Sequence, residues 1–171
     1  MDTCRDNLLI AGIGNTLRGD DRVGIFLMKK LEKHFLNTIK YLEIHAPDIL
    51  MAETFSQFEN LLIIDAICMD DDKPYKLIPI KPAKNIAPSP GFPAHVVGWD
   101  TILYTAREFF GHAPQTVLLG VAACDFDFSE TLSTQCRANA DKAFEFIVKN
   151  LIKTLIKDKT TNHTNDTNKV N

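Results

Sequence analysis

Residues 7–24 constrain the fold most, because a short apolar strand there runs through a glycine turn into a helix. Leu8–Ile13 is apolar without alternation, which is typical of a strand buried on both faces of a parallel sheet. A tight turn is expected next, because glycine and asparagine adopt positive φ more readily than other residues. The residues that support this turn are Gly12, Gly14 and Asn15.

The segment after the turn predicts an amphipathic helix that ends near Phe35. Its apolar residues recur every fourth position, at Val23, Leu27, Leu31 and Phe35. Asp20 precedes this helix and is the expected cap of its first turn.

Asp20 and Asp21 also decide what the turn can bind. Their two carboxylates would repel a phosphate group, and the Lys-Ser or Lys-Thr pair of a phosphate-binding loop is missing after Gly19. The third glycine of a dinucleotide fingerprint is missing as well, since Leu17 stands there. An acidic pair at such a turn suits a cation, and the alternative is that both aspartates merely cap the helix.

Length and composition predict a single globular domain. The 171 residues, 19.2 kDa, are enough for one sizeable core. We expect one α/β domain over residues 1–157 and a disordered polar tail over residues 158–171, which are rich in Lys, Asp, Thr and Asn. A net charge of −3 argues against nucleic acid and anionic membranes as partners, and no apolar run reaches transmembrane length.

The cysteines indicate a reducing compartment. They are widely spaced and form no Cys-x-x-Cys pair, so a zinc ribbon or a thioredoxin-type site is not expected. We predict that the thiols are reduced and that two or three of them lie in the core. We also expect the protein to be cytoplasmic and monomeric. The four cysteines are Cys4, Cys68, Cys124 and Cys136.

Strand and helix patterns alternate along the rest of the chain. Further strands are predicted over 40–46, 61–64, 75–80 and 116–123. Helices are predicted after Pro47, with Asp48 as the cap, and over 97–110 and 133–156. The order predicts a three-layer α/β sandwich: a twisted, mostly parallel five-stranded sheet with helices on both faces.

The carboxyl ends of the strands bring the chemical groups together, because parallel α/β sheets bind ligands at that edge. Asp20 and Asp21 follow the first strand, Asp65 ends the third, and a proline-rich loop after the fourth leads to His95. Oxygen and nitrogen donors suit a divalent ion such as zinc or nickel. Taken singly, Asp65 could cap a following turn and His95 could simply begin a helix. Cys68 could pair with His95 as thiol and base, although a buried structural cysteine is the favoured reading.

The glycine turn and its surroundings resemble a known family. Residues 12–24, Gly-Ile-Gly-Asn-Thr-Leu-Arg-Gly-Asp-Asp-Arg-Val-Gly, resemble the opening signature of the hydrogenase maturation endopeptidases. Residues 61–66 are similar to their central strand with its acidic ligand, and His95 matches their histidine after a long loop. Residues 118–121 with Leu132 and Ser133 resemble their last strand and the start of their last helix.

This resemblance implies both fold and function. Family members have a twisted sheet with helices on both faces, and they cut a C-terminal extension from the large-subunit precursor of nickel–iron hydrogenase after nickel insertion. Carried onto this chain, the catalytic and metal-contacting set is Asp21, Asp65 and His95. The nickel would be presented by the substrate rather than held permanently by the protease, and the turn that includes Asp20 would support the site.

Three departures from the family pattern keep alternatives open, and one of them is Pro93-Ala94 in place of the residue pair that is usual beside the histidine. The family's glycine pair after the second strand is absent from residues 44–49, Ile-His-Ala-Pro-Asp-Ile, and Arg22 replaces a frequent glycine. One alternative is a free-standing metallohydrolase that binds its own zinc or nickel at the same residues. Another is a non-catalytic nickel-binding or chaperone module. Arg18, beside the carboxylates, either steers an anionic group or balances local charge.

Overall fold

The computed structural model describes residues 6–35, 39–85 and 97–151, and within these ranges strands alternate with helices. The strands are β1 (Asp6–Ile13), β2 (Lys40–Ile44), β3 (Phe58–Ile67), β4 (Tyr75–Ile80) and β5 (Gln115–Ala122). The helices are α1 (Val23–His34), α2 (Met51–Phe55), α3 (Trp99–Phe110) and α4 (Thr134–Phe146). A 3-10 turn, Gly19–Arg22, leads into α1, and a π-helical turn, Ile147–Leu151, follows α4.

The sheet has the order β2-β1-β3-β5-β4, and every neighbouring pair except β4–β5 is parallel. β4 runs antiparallel at the edge, where Pro79 is tolerated because an edge strand leaves one row of backbone groups unpaired. The four parallel strands therefore end at the same edge. The predicted five-stranded, mostly parallel sheet is confirmed.

Two apolar layers cover the two faces of the sheet. One contains α1 and α4 side chains packed on Leu8 and Ile10 of β1, and the other contains α2 and α3 side chains packed on Leu9 and Ala11. Successive residues of a strand point to opposite faces, so a strand between two helical layers must be apolar throughout. This confirms the three-layer arrangement and explains the uninterrupted apolar run in β1.

Local boundaries differ from the predictions where tertiary pairing extends or shortens an element. β3 continues to Ile67 because β5 pairs with it along that length, and β2 ends at Ile44, two residues early. The N-cap residue of α2 is Leu50, so the predicted cap Asp48 is wrong. The Asp48 carboxylate instead accepts the Leu50 N–H at 2.9 Å and stabilises the turn before the helix. The end of the last predicted helix and the polar tail lie outside the described residues.

The prediction that Cys68 is a buried structural cysteine is wrong, whereas the number of cysteines in the core stays a prediction. Cys136 is buried, but Cys68 and Cys124 are exposed because they follow the carboxyl ends of β3 and β5, beyond the helical layers. All three are free thiols, and Cys4 lies outside the described residues. Within the part of the chain that the structure describes, no helix is long and apolar enough to span a membrane.

Candidate functional site

The turn after β1 brings backbone segments into contacts that only glycine allows. Gly14 has φ of 139°, and a Cβ there would overlap the backbone oxygen of Asp21. A Cβ on Gly12 would lie 2.6 Å from the backbone oxygen of Gly24, at the start of α1. The Gly14 N–H donates to the Ile44 oxygen at 3.1 Å, which fixes the turn against the end of β2. The glycines thus allow the 3-10 turn and the start of α1 to pack directly against the carboxyl end of β1.

Asp21 lies on this 3-10 turn with its carboxylate held by the glycine turn. Its Oδ2 accepts the Asn15 N–H at 2.8 Å, while its own N–H donates to the Arg18 oxygen at 2.9 Å. The Asn15 side chain accepts the Leu17 N–H at 2.9 Å and so shapes the intervening loop. The Asp21 side chain is half-buried, so it can still meet a ligand at the sheet edge.

Asp65 lies near the end of β3, opposite Gly120 of β5, and is half-buried. Burial raises the pKa of Asp65 to about 6; the Ala66 N–H, 2.8 Å from Oδ1, works against this rise, and the negative charge of Asp21 adds to it. The effect of Asp21 means that the two predicted carboxylates lie within electrostatic range. The sheet edge therefore brings together two of the three predicted residues.

His95, the third predicted residue, lies outside the described residues, as does most of the proline-rich loop before it. Among the residues that the structure describes, no three His, Cys, Asp or Glu side chains form a group that could hold a metal ion. Two carboxylates at the end of parallel strands can bind and orient a ligand or move a proton. A complete metal site needs further donors.

Asp20 does not cap α1, contrary to the sequence-based prediction. The N-cap residue of α1 is Arg22, and no side chain caps this helix. Asp20 is fully buried and faces Ser133 at the start of α4: Oδ1 accepts the Ser133 N–H at 2.7 Å, and Oδ2 accepts the Ser133 hydroxyl at 2.9 Å. Oδ2 also accepts the N–H groups of Cys124 and Asp125, at 3.2 and 3.1 Å.

The protonation of Asp20 follows from these donors. Burial alone would raise the pKa of Asp20, but the hydrogen bonds from Ser133, Asp125 and Cys124 outweigh it and hold that pKa below its ordinary value. Asp20 is therefore an ionised, buried carboxylate at the N-terminus of α4, where the helix dipole favours negative charge. It supports the site through a different helix from the one predicted.

One residue near the site was missed by the sequence reasoning. His45 follows β2 at the same sheet edge, and its Nδ1 lies 3.2 Å from the Gly14 oxygen. Its Nε2 lies 3.7 Å from the Glu43 carboxylate. Its position after a parallel strand was a usable signal, and it occupies the segment where the family's glycine pair is absent.

Comparison with known proteins identifies the family. No family model matches the sequence. A Methanocaldococcus jannaschii protein described as a putative hydrogenase maturation protease is 30% identical over 158 residues, which cover 86% of this chain and 89% of the relative. The chain belongs to the hydrogenase maturation protease family.

Solved structures from the hydrogenase maturation protease family share the fold. The Escherichia coli hydrogenase maturating endopeptidase HybD has a TM-score of 0.67 at 21% identity, covering 86% of this chain and 93% of its own. The Thermococcus kodakarensis [NiFe] hydrogenase maturation protease HycI has a TM-score of 0.63 at 21% identity, covering 91% and 95%. The chain is therefore a member of a peptide hydrolase family, as the glycine-turn signature predicted.

Proposed function

We propose that this protein removes the C-terminal extension of a nickel-loaded nickel–iron hydrogenase large-subunit precursor, with Asp21, Asp65 and His95 at the reacting bond. Family membership supports endopeptidase activity in hydrogenase maturation. The observation that carries the site assignment is that Asp21 and Asp65 lie near each other at the carboxyl edge of the sheet, where the negative charge of Asp21 helps to raise the pKa of Asp65. Active sites commonly hold a carboxylate whose pKa is shifted by burial and by a neighbouring charge.

The two carboxylates suit different tasks. Asp65, with a pKa of about 6, exchanges a proton near neutral pH, which is what a general base or acid in peptide hydrolysis needs. Asp21 is held by the Asn15 N–H, so its carboxylate has a defined orientation towards an approaching cation. The nickel belongs to the substrate, whose thiolates already bind it. The oxygen donors of Asp21 and Asp65 and the nitrogen of His95 would complete its coordination only in the complex.

Exposed apolar side chains near the site favour a protein as the substrate. Leu17 and Phe128 are 53% and 87% exposed, and the Ser129 N–H donates to the Leu17 oxygen at 3.1 Å, so the two lie on joined segments. Exposed apolar residues at a rim are typical of protein-binding surfaces. The absence of nucleic acid and membrane partners, the cytoplasmic location and the monomeric state stay predictions from composition.

The test is cleavage of nickel-loaded precursor by single-residue variants. Asp21→Asn, Asp65→Asn and His95→Ala should each lower kcat by about a hundredfold or more, the usual loss for a general acid–base or charge-stabilising group. Asp70→Asn makes the same change of charge on an exposed turn and should leave kcat unaltered. Full activity in Asp21→Asn or Asp65→Asn would refute the assignment.

The two alternative functions differ from this proposal in where nickel is held. A free-standing metallohydrolase would carry about one equivalent of zinc or nickel after purification and would cut substrates that contain no metal. A nickel-binding module, which the altered segment 44–49 and its His45 would favour, would bind the loaded precursor without releasing a peptide. Metal analysis and the cleavage assay together separate the three.

A further inference from the structure

We propose that Asp20 is a positioning residue for the reaction: its carboxylate ties the turn that carries Asp21 to the segment 124–133 and so holds Asp21 in place against Asp65. The inference rests on the proposed function of Asp21 and Asp65. Asp20 is fully buried, so it cannot touch the substrate and must act through its neighbours.

The Asp20 carboxylate collects donors from two places that are distant in sequence. Two come from Ser133 at the start of α4, through its N–H and its hydroxyl, and two are the N–H groups of Cys124 and Asp125 just after β5. Ser133 also caps α4 by accepting the Cys136 N–H at 3.1 Å. A buried, ionised carboxylate is stable only when hydrogen-bond donors of the protein replace water around it. The Asp20 carboxylate and its donors therefore have little freedom to rearrange.

Hydrogen bonds from residues 18–20 also join the turn that carries Asp21 to the segment 124–133. The Asp20 N–H donates to the Asp125 oxygen at 2.7 Å, and the Gly19 N–H donates to the Ser129 oxygen at 2.9 Å. The Arg18 Nε donates to the Phe126 oxygen at 3.3 Å. Gly19 has φ of 42°, and a Cβ there would lie 2.7 Å from the Asp125 oxygen. The segment after β5 therefore contacts each of the three residues that precede Asp21 in the chain.

The contacts of Asp20 also restrict the position of Asp21. It is the next residue in the chain, its N–H is bonded to the Arg18 oxygen, and its carboxylate is bonded to the Asn15 N–H. If the Asp20 contacts loosen, the 3-10 turn can shift and change the placement of the Asp21 carboxylate. Small displacements of a reacting group are costly: about 1 Å can lower a rate by about a hundredfold.

The experiment compares Asp20→Asn with Ser133→Ala in the full chain. Asparagine keeps the size of the side chain but removes its charge. It also replaces one carboxylate oxygen with an NH2 group, which then faces N–H donors instead of accepting from them. Ser133→Ala removes the hydroxyl bond and the α4 cap, while the three N–H groups still hold Asp20. Both variants should lower thermal stability, so stability loss alone does not distinguish them.

Kinetics and amide exchange distinguish them. At temperatures where both variants are folded, Asp20→Asn should lower kcat by about tenfold to a hundredfold. Ser133→Ala, which keeps the Asp20 charge and three of its four donors, should lower kcat less. KM should stay nearly constant in both. In Asp20→Asn the N–H groups of Asn15 and Asp21 should exchange with solvent about tenfold faster or more, which reports local loosening without any activity.

Each outcome decides the inference. Wild-type kcat and exchange rates in Asp20→Asn, or a kcat loss in Ser133→Ala that exceeds the loss in Asp20→Asn, would overturn it. If Asp20→Asn fails to fold, Gly19→Ala loosens the same junction through the Asp125 oxygen and should show the same kcat and exchange changes; wild-type values there would also overturn it. If the wild type cuts no precursor, the proposed function fails, and amide exchange still tests the positioning role.

Discussion

Replacing Asp65 with asparagine should stabilise the protein at neutral pH while abolishing its reaction. Burial and the charge of Asp21 raise the pKa of Asp65 to about 6 from an ordinary 3.8. Below about pH 3.8 the residue is protonated in both the folded and the unfolded chain and costs nothing. Between the two pKa values the unfolded chain releases its proton first, so stability falls as pH rises and stays low above about pH 6.

The size of the effect follows from the same two pKa values. Each pKa unit corresponds to about 1.4 kcal/mol, so the ionised Asp65 costs roughly 3 kcal/mol at pH 7.5 and about 0.5 kcal/mol at pH 4. Asparagine removes the charge and keeps an oxygen for the Ala66 N–H. Its amide group adds a new buried donor, which reduces the gain. The free energy of unfolding should therefore rise by about 1–3 kcal/mol at pH 7.5 and change little at pH 4.

Urea unfolding of wild type and Asp65→Asn across pH 4–8 measures this directly. The difference between the two should grow with pH and level off above about pH 7. Asp70→Asn, the same change on an exposed turn, should stay within about 0.5 kcal/mol of the wild type at every pH. A pH-independent difference for Asp65→Asn would refute the raised pKa, and a destabilised variant at pH 7.5 would refute the cost of burying the ionised Asp65 carboxylate.

Three further predictions concern the turn, the rim and the tail. Gly14→Ala should lower the thermal midpoint far more than Gly111→Ala, because both have positive φ but only the Gly14 Cβ meets backbone; equal shifts in calorimetry would contradict this. Leu17→Ser and Phe128→Ser should raise KM for the precursor without changing the thermal midpoint, and an unchanged KM would remove both from the binding surface. Removing residues 162–171, whose only apolar member is Val170, should move the midpoint by less than about 2 °C, and a larger fall would show that this segment stabilises the domain.

The fold was predictable because its signals are local and repeated. β1 reads as an uninterrupted apolar run since helices cover both faces of the sheet, and β4 carries Pro79 since it lies at an edge. The pairing of Asp21 with Asp65 was predictable too, because parallel strands must end at a common edge.

The role of Asp20 was not predictable from the same rules. Capping rules look a few residues ahead along the chain, whereas the partner of Asp20 is Ser133, 113 residues away. The segment between β5 and α4 has no periodic pattern that would place it against the glycine turn. Sequence can thus place a carboxylate before a helix, but the packing of β5 and α4 decides which helix it serves.

Intact-mass analysis of the precursor with and without bound nickel tests the central claim most directly. The two forms of the large-subunit precursor are incubated side by side with the wild-type protein purified without added metal. We expect the nickel-loaded form alone to lose its C-terminal peptide, because nickel completes the site formed by Asp21, Asp65 and His95 only when the substrate brings it. Equal cutting of both forms would contradict nickel sensing, and cutting of neither form would contradict the proposed proteolysis.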